Sequence, residues 1–450
     1  MFEMKAVRFL HVCLFTMLAA CQNVRDDRSG SAAGEAKLNF LIILVDDLGP
    51  EQLGCYGSAT NHTPHIDKLA EAGMRFRTAY ATPICTPSRV LLMTGRYGFR
   101  TGWLNFTGRK GSPTVANPDY NLGREEKTFA HLLKDNGYRT GLMGRWLSVG
   151  NEHKQIPDAG FSDYQIWGIW GQKLPPGVRH TGAWEREGVV TARYWHPAII
   201  RDGKYVPTQP DDYGPDLMVE YGKNFLRRHK DKPFMLFYPM ILVHDPYPPV
   251  PDLENPGARR KGDLKSFVEY TDHLTGQLLD ELDALGLRES TVVIFAGDNG
   301  TMRQGKGTPT EKGARVPLII RNPKHVKKGV VSDELTDFSD VFPTLMAFAG
   351  VSMPEGIDFD GKSLVRALAG STEEHRPWIY SYFIEGQVLR DKRWLLEDGR
   401  FYDCGSDRDG RGYADVTAST DPDVVAARVR LEGILAPLAA RPSQLLEKTK

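Results

Sequence analysis

Asp46 and Asp47 stand directly after a nearly unbroken apolar run, residues 38–45. Asp298 and Asn299 stand just beyond a second such run, 291–296; Arg145 follows 138–143, and His244 follows 234–243. Runs of this kind read as buried strands, and open α/β sheets bind ligands beyond the carboxyl ends of their strands. The four run ends are therefore expected to converge on one crevice. Three carboxylates gathered there repel one another unless a cation joins them. The oxygens of Asp46, Asp47, Asp298 and Asn299 are hard ligands, suited to Ca²⁺ or Mg²⁺ rather than zinc. Cys85 opens the stretch Cys85-Thr86-Pro87-Ser88-Arg89, and Pro87 and Ser88 are expected to start a helix running to Thr94. Partial positive charge at that helix start favours an oxyanion. An unmodified thiol there is expected to have a lowered pKa and to be redox-active.

The elements that must position these residues alternate strand and helix. Thr63-Pro64 opens a helix with Ile66, Leu69 and Ala70 on its apolar stripe, and residues 127–136 repeat the plan. Helices are also expected over 215–228 and 267–285. The pattern implies an α/β fold: a large mixed, mostly parallel sheet flanked by helices on both faces. Residues 164–213, rich in Gly, Pro and aromatics, break the rhythm. They are expected to form an insertion over one end of the sheet, with a hairpin at 199–206 turning at Asp202-Gly203. After about residue 370 the pattern changes. Strands at 378–383 and 394–396 and a helix over 422–435, stopped by Pro437, suggest a smaller C-terminal subdomain (371–450) built on a short antiparallel sheet and a helix.

With the strand ends in view, the stretch at 85–89 resembles the C-x-P-S-R signature of the formylglycine-dependent sulfatase family, within the alkaline-phosphatase-like superfamily. The resemblance continues in order. Residues 92–97 resemble L-x-T-G-R-Y. Gly305-Lys306-Gly307 with Glu311, Gly313, Arg315 and Pro317 resembles G-K-G-x-x-x-E-G-G-x-R-x-P. Residues 340–350 resemble D-x-x-P-T-x-x-x-x-A-G, so the likeness spans roughly 37–365 and implies a catalytic domain over 37–370. It implies that Cys85 is oxidised to formylglycine by a formylglycine-generating or anaerobic sulfatase-maturating enzyme. It also implies one Ca²⁺ held by Asp46, Asp47, Asp298 and Asn299 and contacting residue 85. Arg89 would hold the hydrated aldehyde. His244 and Lys306 would bind sulfate and help the leaving alcohol depart. The implied activity is release of sulfate from a sulfated carbohydrate through the diol at residue 85. A phosphonate or phosphate ester hydrolase of the same superfamily and a non-catalytic sulfoglycan-binding relative are the alternatives. The chain departs from the family at Gly144-Arg145-Trp146-Leu147, where G-K-W-H is usual. Arg145 stands in the place of a sulfate-binding lysine, Leu147 in the place of a histidine, and His153 is a possible substitute. Lys312 replaces the first glycine of E-G-G.

Lys plus Arg (57) balance Asp plus Glu (57), so no nucleic-acid partner is expected. Residues 1–21 read as a targeting segment: Lys5 and Arg8, then an apolar stretch, then Leu18-Ala19-Ala20-Cys21, which resembles a bacterial lipobox. An exported protein, periplasmic or at the cell surface, is expected, with a lipid anchor at Cys21 in the outer membrane as its sole membrane attachment. Residues 22–36 read as a flexible tether. Cys55 and Cys404 remain either for pairing in an oxidising compartment or for service as buried and loop thiols.

Overall fold

The computed structural model describes residues 37–146, 155–168, 174–176, 178, 193–407, 410 and 412–448. Strand β1 (Asn39–Val45) is buried along its whole length. Phe40, Ile42 and Leu44 enter one core layer; Leu41, Ile43 and Val45 enter the other. Burial on both faces is why the run shows no polar alternation. Each such side chain contributes about 1.5–3 kcal/mol on leaving water.

The remaining strands of the main sheet are β2 (Met74–Tyr80), β3 (Arg139–Gly144), β4 (Asp163–Trp167), β5 (Ile199–Arg201), β6 (Lys204–Val206), β7 (Phe234–Pro239), β8 (Thr291–Gly297), β9 (Arg315–Arg321), β10 (Val330–Ser332) and β11 (Thr336–Asp337). Their order is β10-β2-β9-β8-β1-β7-β3-β4-β5-β6, with β11 also on β2. Strands β8, β1, β7, β3 and β4 run parallel, whereas β9 is antiparallel to β8 and β2. The helices are α1 (Pro64–Glu71), α2 (Cys85–Thr94), α3 (Phe129–Asp135), α4 (Gly214–His229), α5 (Leu264–Ala284) and α6 (Val341–Ala349). Apolar residues of α2, α3 and α6 pack on the face of Ile42, and those of α1, α4 and α5 on the face of Ile43. The chain goes from β1 to both neighbours, β7 and β8, by long crossovers, so β1 sits where the strand order reverses.

Several elements differ from the sequence expectation. Strand β7 stops at Pro239, not Val243, because proline has no donor for the ladder. The next residues stay buried and clamp Asp46 instead: Asp46 N donates to Leu242 O (2.9 Å) and Val243 N to Asp46 O (2.7 Å). Strand β2 escapes the apolar-run signal because Arg75 and Arg77 alternate along it. The described residues of 164–213 extend the edge of the sheet through β4 and the β5–β6 hairpin. Asp202 and Gly203 both take positive φ (47° and 80°), as a tight hairpin turn requires. Trp167 and Trp195 are buried in the core layer and so serve packing; Trp170 and Trp184 lie outside the described residues.

The C-terminal sheet is an antiparallel meander of β12 (Ile379–Phe383), β13 (Gly386–Arg390), β14 (Trp394–Glu397), β15 (Arg400–Asp403) and β16 (Ala414–Asp415). It is stitched to the larger sheet. Tyr382 Oη is hydrogen-bonded by Gly98 N (2.6 Å), Ser381 Oγ donates to Ala81 O (2.7 Å), and buried Arg390 pairs with buried Glu311. Helix α7 runs Pro422–Lys448, through Pro437. The proline removes one backbone bond, but Ile434, Leu435 and Leu438 pack on the core on both sides of it and keep the helix going. Among the described residues no disulfide forms, so Cys55 and Cys404 are not joined. No described helix is long and apolar enough to cross a membrane.

Candidate active site

Parallel pairing places the acids. Val45 of β1 is in register with Gly297 of β8, so Asp46 and Asp298 are the next residues on neighbouring strands. Asp298 N donates to Val45 O (2.9 Å), and Asp47 N to Asp298 Oδ1 (3.0 Å). Asp47 takes a positive φ of 63°, which turns its carboxylate back toward the crevice. Asp46, Asp47, Asp298 and Asn299 are all fully buried.

Cys85 is the first residue of α2, two residues earlier than the helix start expected at Pro87. Ser88 holds the segment before it. Its Oγ accepts from Thr82 N (3.0 Å) and lies 2.9 Å from Thr82 O and 3.0 Å from Ile84 O. The Cys85 Sγ and one carboxylate oxygen each of Asp46 and Asp298 lie within 4.8 Å of one another. Burial, with further pressure from Asp46 and Asp298, pushes the Cys85 thiol up, outweighing Arg145 and Lys306. The thiolate expected at a helix start is thus disfavoured here, because desolvation exceeds the helix-end field.

Three side-chain cations face the three carboxylates. Arg89 is buried; its Nε and Nη2 donate to Asp298 Oδ2 (3.1 and 2.9 Å), and Nη2 lies 3.1 Å from Asp46 Oδ2. Its Nη1 donates to Arg145 O (3.1 Å). Arg145 pairs with Asp46, and Lys306 Nζ lies 2.6 Å from Asp47 Oδ1 and 2.8 Å from Oδ2. The Lys306 loop is tied to the Cys85 segment by Gly307 N donating to Pro83 O (2.7 Å). Burial works to raise the Asp46 pKa, but Arg145 and Arg89 beside it hold it far below the usual range. Asp298 goes the other way: burial and the neighbouring Asp46 charge push it up to about 7. Burial would lower Lys306, but Asp47 carries it above the ordinary lysine value.

Side-chain cations therefore relieve much of the repulsion that the sequence reading assigned to a metal. The test for a metal lies elsewhere, in Asp46 Oδ1 and Asn299 Oδ1, two buried oxygens with no hydrogen-bond partner. Asn299 spends its amide hydrogens on Asp47 Oδ1 and Gly300 O (both 2.9 Å), which leaves its oxygen for another partner. Unpaired buried acceptors are costly, and a hard cation satisfies them. The donor set fits calcium. A divalent cation and a sulfate dianion would also add equal and opposite charge to this balanced set.

His244 lies at the same crevice, Nε2 3.9 Å from Asp47 Oδ2. Sequence reasoning picked out His244 but missed Asp245, Arg193 and Tyr194, which surround it. Asp245 had an available signal in directly following the histidine. Arg193 and Tyr194 come from a span with no regular pattern. Glu311, in the G-K-G-x-x-x-E segment, serves structure. It accepts from Tyr80 Oη (2.7 Å) and pairs with Arg390. Leu147 and His153 lie outside the described residues.

The sulfatase family model matches residues 38–351, and a second model, N-sulphoglucosamine sulphohydrolase, C-terminal, matches 306–397. The chain is 30% identical to steryl-sulfatase of Mus musculus over 434 residues, covering 79% of this chain and 69% of that one. Among solved structures, it resembles Ps i-CgsB in complex with k-i-k-neocarrahexaose (TM-score 0.73, 23% identity, 90% and 94% of the two chains). It also resembles BT4656 in complex with its substrate D-glucosamine-2-N,6-O-disulfate (TM-score 0.67, 20% identity, 91% and 99%). At these identities the structural likeness speaks to the fold.

Proposed function

Since this chain belongs to the sulfatase family and is a sulfuric ester hydrolase, we propose that its substrate is a sulfated carbohydrate. We further propose that residue 85 works as formylglycine beside a calcium ion held by Asp46, Asp47, Asp298 and Asn299, with residue 85 itself as a further contact. The observation that carries this reading is the meeting of Cys85, Asp46 and Asp298 at one point, next to the unpartnered oxygens of Asp46 and Asn299. A sugar substrate is supported by the fold likeness to two proteins bound to sugars.

When bound, the calcium would draw charge from sulfate oxygens, and the hydrated aldehyde would supply the attacking oxygen. The chain's own residues do the rest. Arg89 locks Asp298 and Asp46 in place from the second turn of α2, so the helix that carries residue 85 is fixed to the strand ends. Arg145 and Lys306 bring two partly buried cations to the crevice, where lowered dielectric strengthens their hold on an oxyanion. Arg145 can grip two oxygens with its planar fork, which a lysine cannot. His244 presents Nε2 to the same crevice, where it can give a proton to the departing sugar oxygen. Cys21 as a lipid anchor, export to the periplasm or cell surface, and encounter with a formylglycine-forming enzyme belong to the same proposal; they rest on residues 1–21 and 85–89.

The test is mass spectrometry of the peptide spanning residue 85, from a host able to carry out the oxidation. An aldehyde at 85 is expected; free thiol alone would overturn the mechanism.

A further inference from the structure

The surroundings of His244 carry an inference about which of its nitrogens gives up a proton. Its Nδ1 lies 2.6 Å from the backbone oxygen of Asp245 and 3.3 Å from the Asp245 carboxylate Oδ1. The Arg193 Nη1 is farther, at 3.4 Å, and donates to the Asp245 carbonyl at 2.8 Å. A bare Nδ1 lone pair 2.6 Å from a carbonyl oxygen is repulsive, whereas an N–H there makes a short hydrogen bond. The Asp245 Oδ1 is a buried acceptor with no hydrogen-bond partner, so its charge faces Nδ1 uncompensated at 3.3 Å. Tyr194 Oη donates to the His244 carbonyl and pins the backbone. The charged and titratable groups around the ring are thus Asp245 and Arg193 at Nδ1, Asp47 at Nε2 with Lys306 behind it, Tyr194 below, and Arg303 Nη2 3.7 Å from Asp245 Oδ2.

We infer that Asp245 is a positioning residue for His244: its backbone and carboxylate oxygens keep hydrogen on Nδ1, so that Nε2 alone delivers the proton to the leaving group. The inference rests on the sulfate-ester reading above. As the bond between sulfur and the sugar oxygen breaks, its electron pair stays on that oxygen. His244 enters the step with hydrogen on both nitrogens; the Nε2 hydrogen moves to the sugar oxygen, and His244 is left neutral with its other hydrogen still on Nδ1, directed at Asp245. That neutral form is the tautomer Asp245 favours, so the transfer ends in the state the site is built to hold.

The experiment uses a graded set of substrates: 4-nitrophenyl sulfate, phenyl sulfate and 4-methoxyphenyl sulfate, whose leaving oxygens need a proton increasingly. Asp245→Asn keeps the backbone oxygen and removes only the carboxylate charge, so it is expected to lower kcat roughly 10-fold on the last two and less than about 3-fold on the first, with KM unchanged. Retained 4-nitrophenyl sulfate turnover shows that the variant is folded. His244→Ala is expected to steepen the series further, and the double variant to add little beyond it. Equal loss across the series in Asp245→Asn, with His244→Ala still steep, would sink the inference and leave the reading of His244 standing. A flat series in His244→Ala would sink that reading itself. Nitrogen-15 spectra of histidine-labelled protein, with His244 assigned by its loss in His244→Ala, give an independent readout. A protonated Nδ1 is expected, and a bare Nδ1 overturns the proposal.

Discussion

Asp298 offers a quantitative test of the charge balance. Burial and the Asp46 charge push its pKa from the ordinary 3.8 up to about 7. A carboxyl whose folded pKa is raised contributes stability that is complete below the unfolded pKa and is lost as pH rises through the folded one. The loss should therefore run from about pH 4 to about pH 7 and then level off. A rise of that size corresponds to roughly 4 kcal/mol. Asp46 does not blur this window, because its pKa is lowered and its own loss of stability comes only below about pH 4. Other raised carboxyls titrate in the window too: Glu397 is pushed up to about 7 and Asp216 and Asp272 to about 6, and Asp337, Asp360 and Glu126 are raised as well, each chiefly by burial. The difference between the parent and Asp298→Asn isolates Asp298 itself. In urea titrations with a chelator present, the variant should gain on the parent by roughly 4 kcal/mol between about pH 4 and 8. A difference that stays flat over that range would refute the picture of Asp298 as an overburdened buried acid. Calcium should shrink the difference, since it relieves in the parent the strain that the variant lacks.

Calcium at about a hundred times its Kd should stabilise the parent by about 2.7 kcal/mol, read as a rise in Tm that chelation reverses; no rise would argue against the cation site. Arg89→Met should cost about 3–5 kcal/mol in urea unfolding, because it leaves Asp298 and Asp46 buried without their shared partner. Ser88→Ala should cost about 1–3 kcal/mol by orphaning Thr82 N, and should lower sulfate release by loosening the segment before residue 85. Cys85→Ala should abolish sulfate release while leaving far-UV circular dichroism and Tm close to the parent; retained turnover would mean the nucleophile is elsewhere.

Much of this site was legible in the sequence because its signals are local. A strand buried on both faces must be a nearly continuous apolar run, so residues 38–45 announced β1, and Asp46 and Asp47 had to stand at its end. The same logic placed Asp298 after β8 and Arg145 after β3. The ordered resemblance over roughly residues 37–365 then joined residues that the local patterns could only nominate. What the sequence could not determine was pairing. That Asp46 and Asp298 sit side by side follows from the register of β1 on β8, strands about 250 residues apart in the chain. Whether three carboxylates need a metal depended on where Arg89, Arg145 and Lys306 point, and they proved to point at the acids. Whether Cys85 is acidic depended on burial, which overrode the helix end. The partners of His244 come from Arg193 and Tyr194, in a span without periodicity, and from the turn that follows Pro239. Periodicity along a chain records which face is dry; which charge meets which is decided by the packing of distant segments.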